Sequence, residues 1–196
     1  MSRHPAGARH ATDHRPAGGV GWMLPFYDRL SRAAGVGRVH ERLLQGAGIQ
    51  PGHAALDVGC GTGSLTIMAK QREPAATLVG LDPDPAALER AAGKARDHQL
   101  DIQWDVGLGG SLPYPDGSFD RVLSAFVLHH MPADEQARTL ADVRRVLRPQ
   151  GSLHLVDFAQ PEYLAGLLQD AGYDQGTMYR GTVLSVMPIG IVRSYV

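Results

Sequence analysis

Short apolar runs and helically spaced apolar positions alternate along most of the chain. Val39, Leu43 and Leu44 mark one face of a helix over about Gly37–Gln45, and Pro51-Gly52 turns the chain into a buried strand carrying Ala55, Leu56 and Val58. Leu65, Ile67 and Met68 belong to a helix that runs to Arg72 and is stopped by Pro74. Thr77–Leu81 reads as a second buried strand ending at Asp82, and Ala87, Leu88, Ala91, Ala92 and Ala95 give the period of a helix over Ala86–His98. Strands follow at Asp101–Val106 and Arg121–Ala125, then a helix over Asp134–Leu147 halted by Pro149 and Gly151. Ser152–Phe158 is a fifth strand, Pro161–Gly172 a helix, and from Gly176 two further β-rich runs lead to Val196. Strand and helix at such short intervals predict an α/β fold, a doubly wound parallel sheet with helices on both faces.

Composition narrows the function without changing this picture. The 196 residues, 43% hydrophobic, suffice for one ordinary domain. With 19 basic and 20 acidic side chains the net charge is −1, which gives no field for nucleic acid or an anionic membrane and favours a small-molecule substrate. Cys60 is the one cysteine, so neither an internal disulfide nor a cysteine zinc cluster is expected. No apolar run reaches the length of a membrane span and no secretory pattern opens the chain, which predicts a cytoplasmic protein, monomeric or homodimeric. Residues 1–20 read as a flexible arm and 21–196 as the domain. His4, His10 and His14 in the arm lack partners at ligand spacing, so no metal site is expected there. Beyond the arm, Trp22, Met23, Leu24, Phe26, Tyr27 and Leu30 form an apolar cluster, read either as a cap on the core or as a mobile roof over a ligand pocket.

The chemistry concentrates at Ala54–Gly63, AALDVGCGTG. Gly59, Gly61 and Gly63 permit a turn whose backbone lines a ligand pocket, at the positive end of the following helix. A dinucleotide fingerprint needs Gly or Ala at the sixth position from Gly59, where this chain has Ser64. Asp82 stands at the end of the second strand, where a carboxylate receives the hydroxyls of a ribose diol, while Asp84 is placed to cap the helix starting at Pro85. The small residues Ser124 and Ala125 end the fourth strand, leaving room for a ligand at the sheet edge or simply packing closely.

The ordered set D-V-G-C-G-T-G, Asp82, L-P-Y-P-D-G-S-F-D, V-L-H-H-M and R-R-V-L-R-P-Q-G resembles the class I S-adenosylmethionine-dependent methyltransferases of the ubiquinone/menaquinone-biosynthesis type, over roughly Tyr27–Gly172. The resemblance implies a Rossmann-like sheet with a seventh, antiparallel strand, S-adenosylmethionine as cofactor and S-adenosylhomocysteine as its product. It also implies roles for single residues. Gly59, Gly61 and Gly63 would face the methionine half of the cofactor, with Cys60 between them. Asp57 would hold the loop and approach the amino group, and Asp82 with Pro83 would take the ribose, while Tyr27 either closes over the methionine carboxylate or fills the core. Gly107, Leu108 and Gly109 would take the adenine, although many relatives carry Asp where this chain has Leu108. Ser124 and Ala125 would form the floor. Methyl transfer obliges no side chain, but a base is useful where the nucleophile is a hydroxyl or an activated carbon, and His129 or His130 is the candidate because imidazole takes a proton near neutral pH, against the reading that one packs under the sheet edge and the other faces solvent. The acceptor implied is small and apolar or aromatic. The competing functions are cofactor binding without catalysis and an NAD-linked oxidoreductase, the latter opposed by Ser64.

Overall fold

The computed structural model describes residues 35–183 and 187–196. The expected arm, the Trp22–Leu30 cluster and Tyr27 lie outside the described residues. Among the described residues five α-helices flank the sheet: α1 (Val36–Ala47), α2 (Ser64–Arg72), α3 (Pro85–Asp97), α4 (Ala133–Val146) and α5 (Pro161–Asp170). The strands are β1 (Ala54–Val58), β2 (Thr77–Asp82), β3 (Gln103–Val106), β4 (Phe119–Ala125), β5 (Leu147–Asp157), β6 (Asp174–Val183) and β7 (Met187–Tyr195).

They form one seven-stranded sheet in the order β3-β2-β1-β4-β5-β7-β6. β1 to β5 pair in parallel, whereas β7 enters antiparallel between β5 and β6. Successive side chains along a strand face opposite ways, so each central strand supplies both layers of core. Ala55, Leu78, Leu123 and Val156 bury against Leu43, Leu44 and Ala47 of α1 and Leu65 and Ala69 of α2. Leu56, Val79, Val122, Leu153 and Leu155 bury with Leu140, Val143 and Val146 of α4 and Leu164 and Leu168 of α5 on the other face. Among the described residues no helix is long and apolar enough to cross a membrane.

The predicted boundary between the fourth helix and the fifth strand shifts furthest. The fourth helix ends at Val146, and Leu147 is already extended and paired with Phe119 of β4. The register then jumps to Arg121 opposite Ser152, so Arg148–Gly151 forms an irregularity within β5 rather than a linker before it. The cause is tertiary: Arg148 bonds the Asp120 carboxylate at 2.6 Å and the Gly117 carbonyl at 3.2 Å, which fastens this stretch to the start of β4. The α3 cap is as predicted, with the Asp84 side chain accepting from the Ala86 amide at 2.9 Å.

Candidate active site

The sheet order reverses direction between β1 and β4, and the loops leaving the carboxyl ends of β1, β2, β3, β4 and β5 meet around that point. In an open α/β sheet this crevice is where ligands bind. The sequence-predicted residues are distributed over these loops, but they do not all face the crevice.

The glycine loop is built differently from the expected amide cradle. The Gly59 and Cys60 amides donate to the Leu81 carbonyl at 2.8 and 3.0 Å, the Gly63 amide donates to Cys60, and the Gly61 amide donates to Asp82 Oδ2 at 2.8 Å. These donors hold the loop to β2 and to itself, so they do not point at a ligand. Each glycine also answers a different constraint. All three have positive φ, but a Cβ on Gly59 would lie 2.5 Å from the Val127 side chain, and one on Gly63 would lie 2.6 Å from Trp104 and 2.8 Å from Ala91. Those two permit close packing. Gly61, at φ +52°, is the one with open space in front of it, so this is the position where the loop leaves room for a ligand.

Asp57 lies beneath the loop, 1% exposed, and accepts from the Thr66 hydroxyl of α2 at 2.6 Å. Burial pushes its carboxyl up to about 7, opposed by the Thr66 hydrogen bond and reinforced by the nearby Asp82 charge. It therefore ties α2 to β1 from below and stands back from the crevice. Cys60 is likewise buried, its thiol pushed well up by desolvation and by the charges of Asp57 and Asp82, which removes it as a nucleophile.

Asp82 joins the first two loops. Oδ2 takes the Gly61 amide and Oδ1 takes the Asp84 amide at 2.9 Å, while the residue keeps 9% exposure beside the exposed Pro83. On the third loop Leu108 is 41% exposed and gives the rim an apolar surface. Its neighbours serve packing, since a Cβ on Gly107 would lie 2.8 Å from Leu81 and one on Gly109 2.6 Å from Thr139. Ser124 is buried and Ala125 half-buried at the end of β4.

His129 and His130 sit in a single 3-10 turn, Leu128–His130, directly after β4. Their rings are 3.8 Å apart between centroids. The sequence reading missed what holds them: Asp157, the last residue of β5, 1% exposed. Asp157 Oδ1 lies 2.6 Å from His129 Nδ1, and Oδ2 accepts the amides of Val127, Leu128 and His129 at 3.1, 2.7 and 3.3 Å. An ionised carboxylate can only accept, so the pairing fixes the proton on Nδ1 and leaves Nε2 with a lone pair. Burial lowers the His130 pKa, with a further contribution from His129. The available signal for Asp157 was an acid closing a buried parallel strand, the same signal that singled out Asp82.

Aromatic rings complete this end of the crevice. Phe158 stands 5.1 Å from the His129 ring, edge to face, and 4.8 Å from Phe126. Phe126 has φ +62°, a left-handed conformation that a residue with a Cβ adopts at a cost. Its amide donates to the Val156 carbonyl at 2.8 Å, so β5 holds the strained turn in place.

Known methyltransferases are similar to this chain. Residues 55–151 match the methyltransferase domain family. The demethylmenaquinone methyltransferase of Deinococcus radiodurans is 38% identical over 142 residues, 71% of this chain and 58% of that protein, and the one from Lactobacillus johnsonii is 35% identical over 145 residues, 71% and 59%. A solved S-adenosylmethionine-dependent methyltransferase from Methanosarcina mazei superposes with TM-score 0.67 at 19% identity, over 75% of this chain and 93% of the other. The chain spans 58–64% of the length of the first four curated relatives. With its sheet order, its motifs and these relatives, the chain belongs to the class I S-adenosylmethionine-dependent methyltransferases.

Proposed function

We propose that the protein methylates a small aromatic acceptor, with His129 as the base that removes the acceptor's proton. The observation that carries this reading is the His129 Nδ1 to Asp157 Oδ1 contact of 2.6 Å at the sheet edge. The curated relatives named for demethylmenaquinone suggest a quinol-like acceptor, and the Phe126 and Phe158 rings offer the apolar faces that such a molecule stacks on.

The crevice fits S-adenosylmethionine on this chain's own features: the open space at Gly61, the Asp82 carboxylate at the rim and the apolar surface of Leu108. When bound, the cofactor supplies a methyl group made electrophilic by its sulfonium. Asp82 would hold the ribose hydroxyls and Leu108 would cover the adenine. His129 Nε2 would take the proton of the acceptor hydroxyl or carbon as its nucleophilic character develops, and Asp157 would stabilise the imidazolium so formed. With an acceptor stacked on them, Phe126, Phe158 and Val127 would help to keep water from that end. Alignment of reactants in such a site is worth on the order of 7–11 kcal/mol, and the base adds about 10²–10⁴ in rate.

The test is incubation with labelled S-adenosylmethionine and a panel of quinols and naphthols, with mass spectrometry of the organic phase. A methylated aromatic product is expected. Binding of S-adenosylhomocysteine by calorimetry with no transfer to any panel member would overturn the acceptor class, and failure of that binding would overturn the cofactor.

A further inference from the structure

A second cleft, of about 310 Å³, lies away from the active-site edge, between α1 and the last strands of the sheet. Its floor is a row of polar side chains at registered positions on adjacent strands: His154 on β5 pairs with Arg193 on β7, which pairs with Thr177 on β6. Arg42 and Gln45 on α1 form the opposite wall. Among the described residues no carboxylate lines this cleft.

The row has the features of a site for a negative charge. Arg193 Nε is fully buried and its N–H has no acceptor among the described residues, a condition that costs free energy unless a partner supplies one. Nε–H and the adjacent Nη–H of a guanidinium form a two-pronged edge that matches the paired oxygens of a phosphate or carboxylate. The Arg193 guanidinium stacks 4.7 Å from the Tyr195 ring centroid, which fixes its plane. Arg121, on neighbouring β4, adds positive charge nearby and directs its own donors to the carbonyls of Ala47 and Asp120. His154 is buried, its Nε2 2.9 Å from the Ser152 hydroxyl, and is held down to about 3 by burial first and then by the two arginines. Gly46 keeps the roof clear. It has no need of positive φ, a glycine inside a helix is about 1 kcal/mol worse than alanine, and a Cβ there would lie 3.7 Å from His154 Nδ1.

We propose that this cleft binds a small molecule carrying a phosphate or carboxylate group, with Arg193 as its two-pronged anchor and Arg42 closing over it, at a site separate from the methyl-donor crevice. The volume is at the lower end of that of small-molecule pockets, roughly 300–1,000 Å³, so the cleft admits a ligand larger than the anion itself. The proposal does not depend on the methyltransferase reading, because every residue it uses lies outside that crevice.

The experiment is titration of the full chain with inorganic phosphate and, separately, with butyrate, followed by the Arg193 Nε–H resonance in nitrogen-15 NMR. Saturable movement of that resonance by at least one probe, unchanged by saturating S-adenosylhomocysteine, is expected. Preference for phosphate points to a phosphorylated ligand and preference for butyrate to a carboxylate one. Arg193→Gln and the exposed Arg42→Ala should each weaken binding at least about tenfold, and Arg42→Ala decides the matter if Arg193→Gln does not fold. No saturation by either probe up to roughly 10 mM, undiminished binding in Arg42→Ala, or displacement of the probe by S-adenosylhomocysteine would each overturn the proposal.

Discussion

Asp157 and His129, 28 residues apart in sequence, meet at 2.6 Å because β5 ends directly beside the turn that leaves β4. The same carboxylate that bonds the imidazole also accepts the three amides of that turn, so the position and the tautomer of His129 have a single cause. His129→Ala should lower kcat by about 10²–10⁴ while leaving S-adenosylhomocysteine affinity unchanged. His130→Ala, which removes only the neighbouring tilted ring, should lose less than about tenfold. Measured rates on the acceptor identified by product analysis check both, and equal losses would move the proton transfer elsewhere.

Variants of Asp82 and Asp84 test ligand binding and helix capping separately. Asp82→Ala should weaken S-adenosylhomocysteine by roughly 1.5–3 kcal/mol, whereas Asp84→Ala should cost about 1 kcal/mol of stability through the lost cap and leave affinity alone. Calorimetry paired with thermal melts distinguishes the outcomes, and unchanged affinity in the Asp82 variant would make Asp82 a loop-holding residue through the Gly61 and Asp84 amides.

Asp57 makes stability depend on pH in a defined direction. Its folded pKa of about 7 lies above the ordinary value of 3.8, so the folded state holds the proton more tightly. The stability this contributes is fully present below pH 3.8 and is lost as pH rises through about 7. Asp57→Asn cannot ionise and still offers an oxygen to the Thr66 hydroxyl. Its stability relative to wild type, read from thermal melts, should therefore climb between about pH 4 and pH 7 and level off above, by an amount on the order of a few kcal/mol. A constant difference across that range would refute the assignment.

His40 and His154 act at the acid end. Burial holds them down to about 4 and about 3, below the ordinary 6.5. Their stabilising contribution is present above pH 6.5 and is lost as pH falls through those values. His40→Gln should flatten the decline between about pH 6 and pH 4, read from urea midpoints.

Phe126 carries backbone strain that a pair of variants isolates. Phe126→Gly and Phe126→Ala both remove the ring, but only glycine is at ease at φ +62°. The glycine variant should be the more stable by about 1 kcal/mol, reversing the usual order. Both should raise the KM for an aromatic acceptor.

The amino-acid sequence by itself determined the elements and their order. The apolar spacing of Leu43, Leu88 and Leu164, the stops at Pro74 and the cap at Asp84 are local, because propensity and capping act within a few residues. The motif spacing determined the family for the same reason, since the loop glycines and Asp82 stand at fixed chain distances. What only the tertiary structure decided are contacts made by residues far apart. The Gly59, Cys60 and Gly61 amides turn to β2 rather than outward, Gly63 makes room for Trp104, Leu147 joins β4 as strand instead of ending a helix, and Asp157 reaches His129. Each depends on which strands are neighbours in the sheet, and that order follows from packing two layers of helices at once, a condition that no short window of sequence contains.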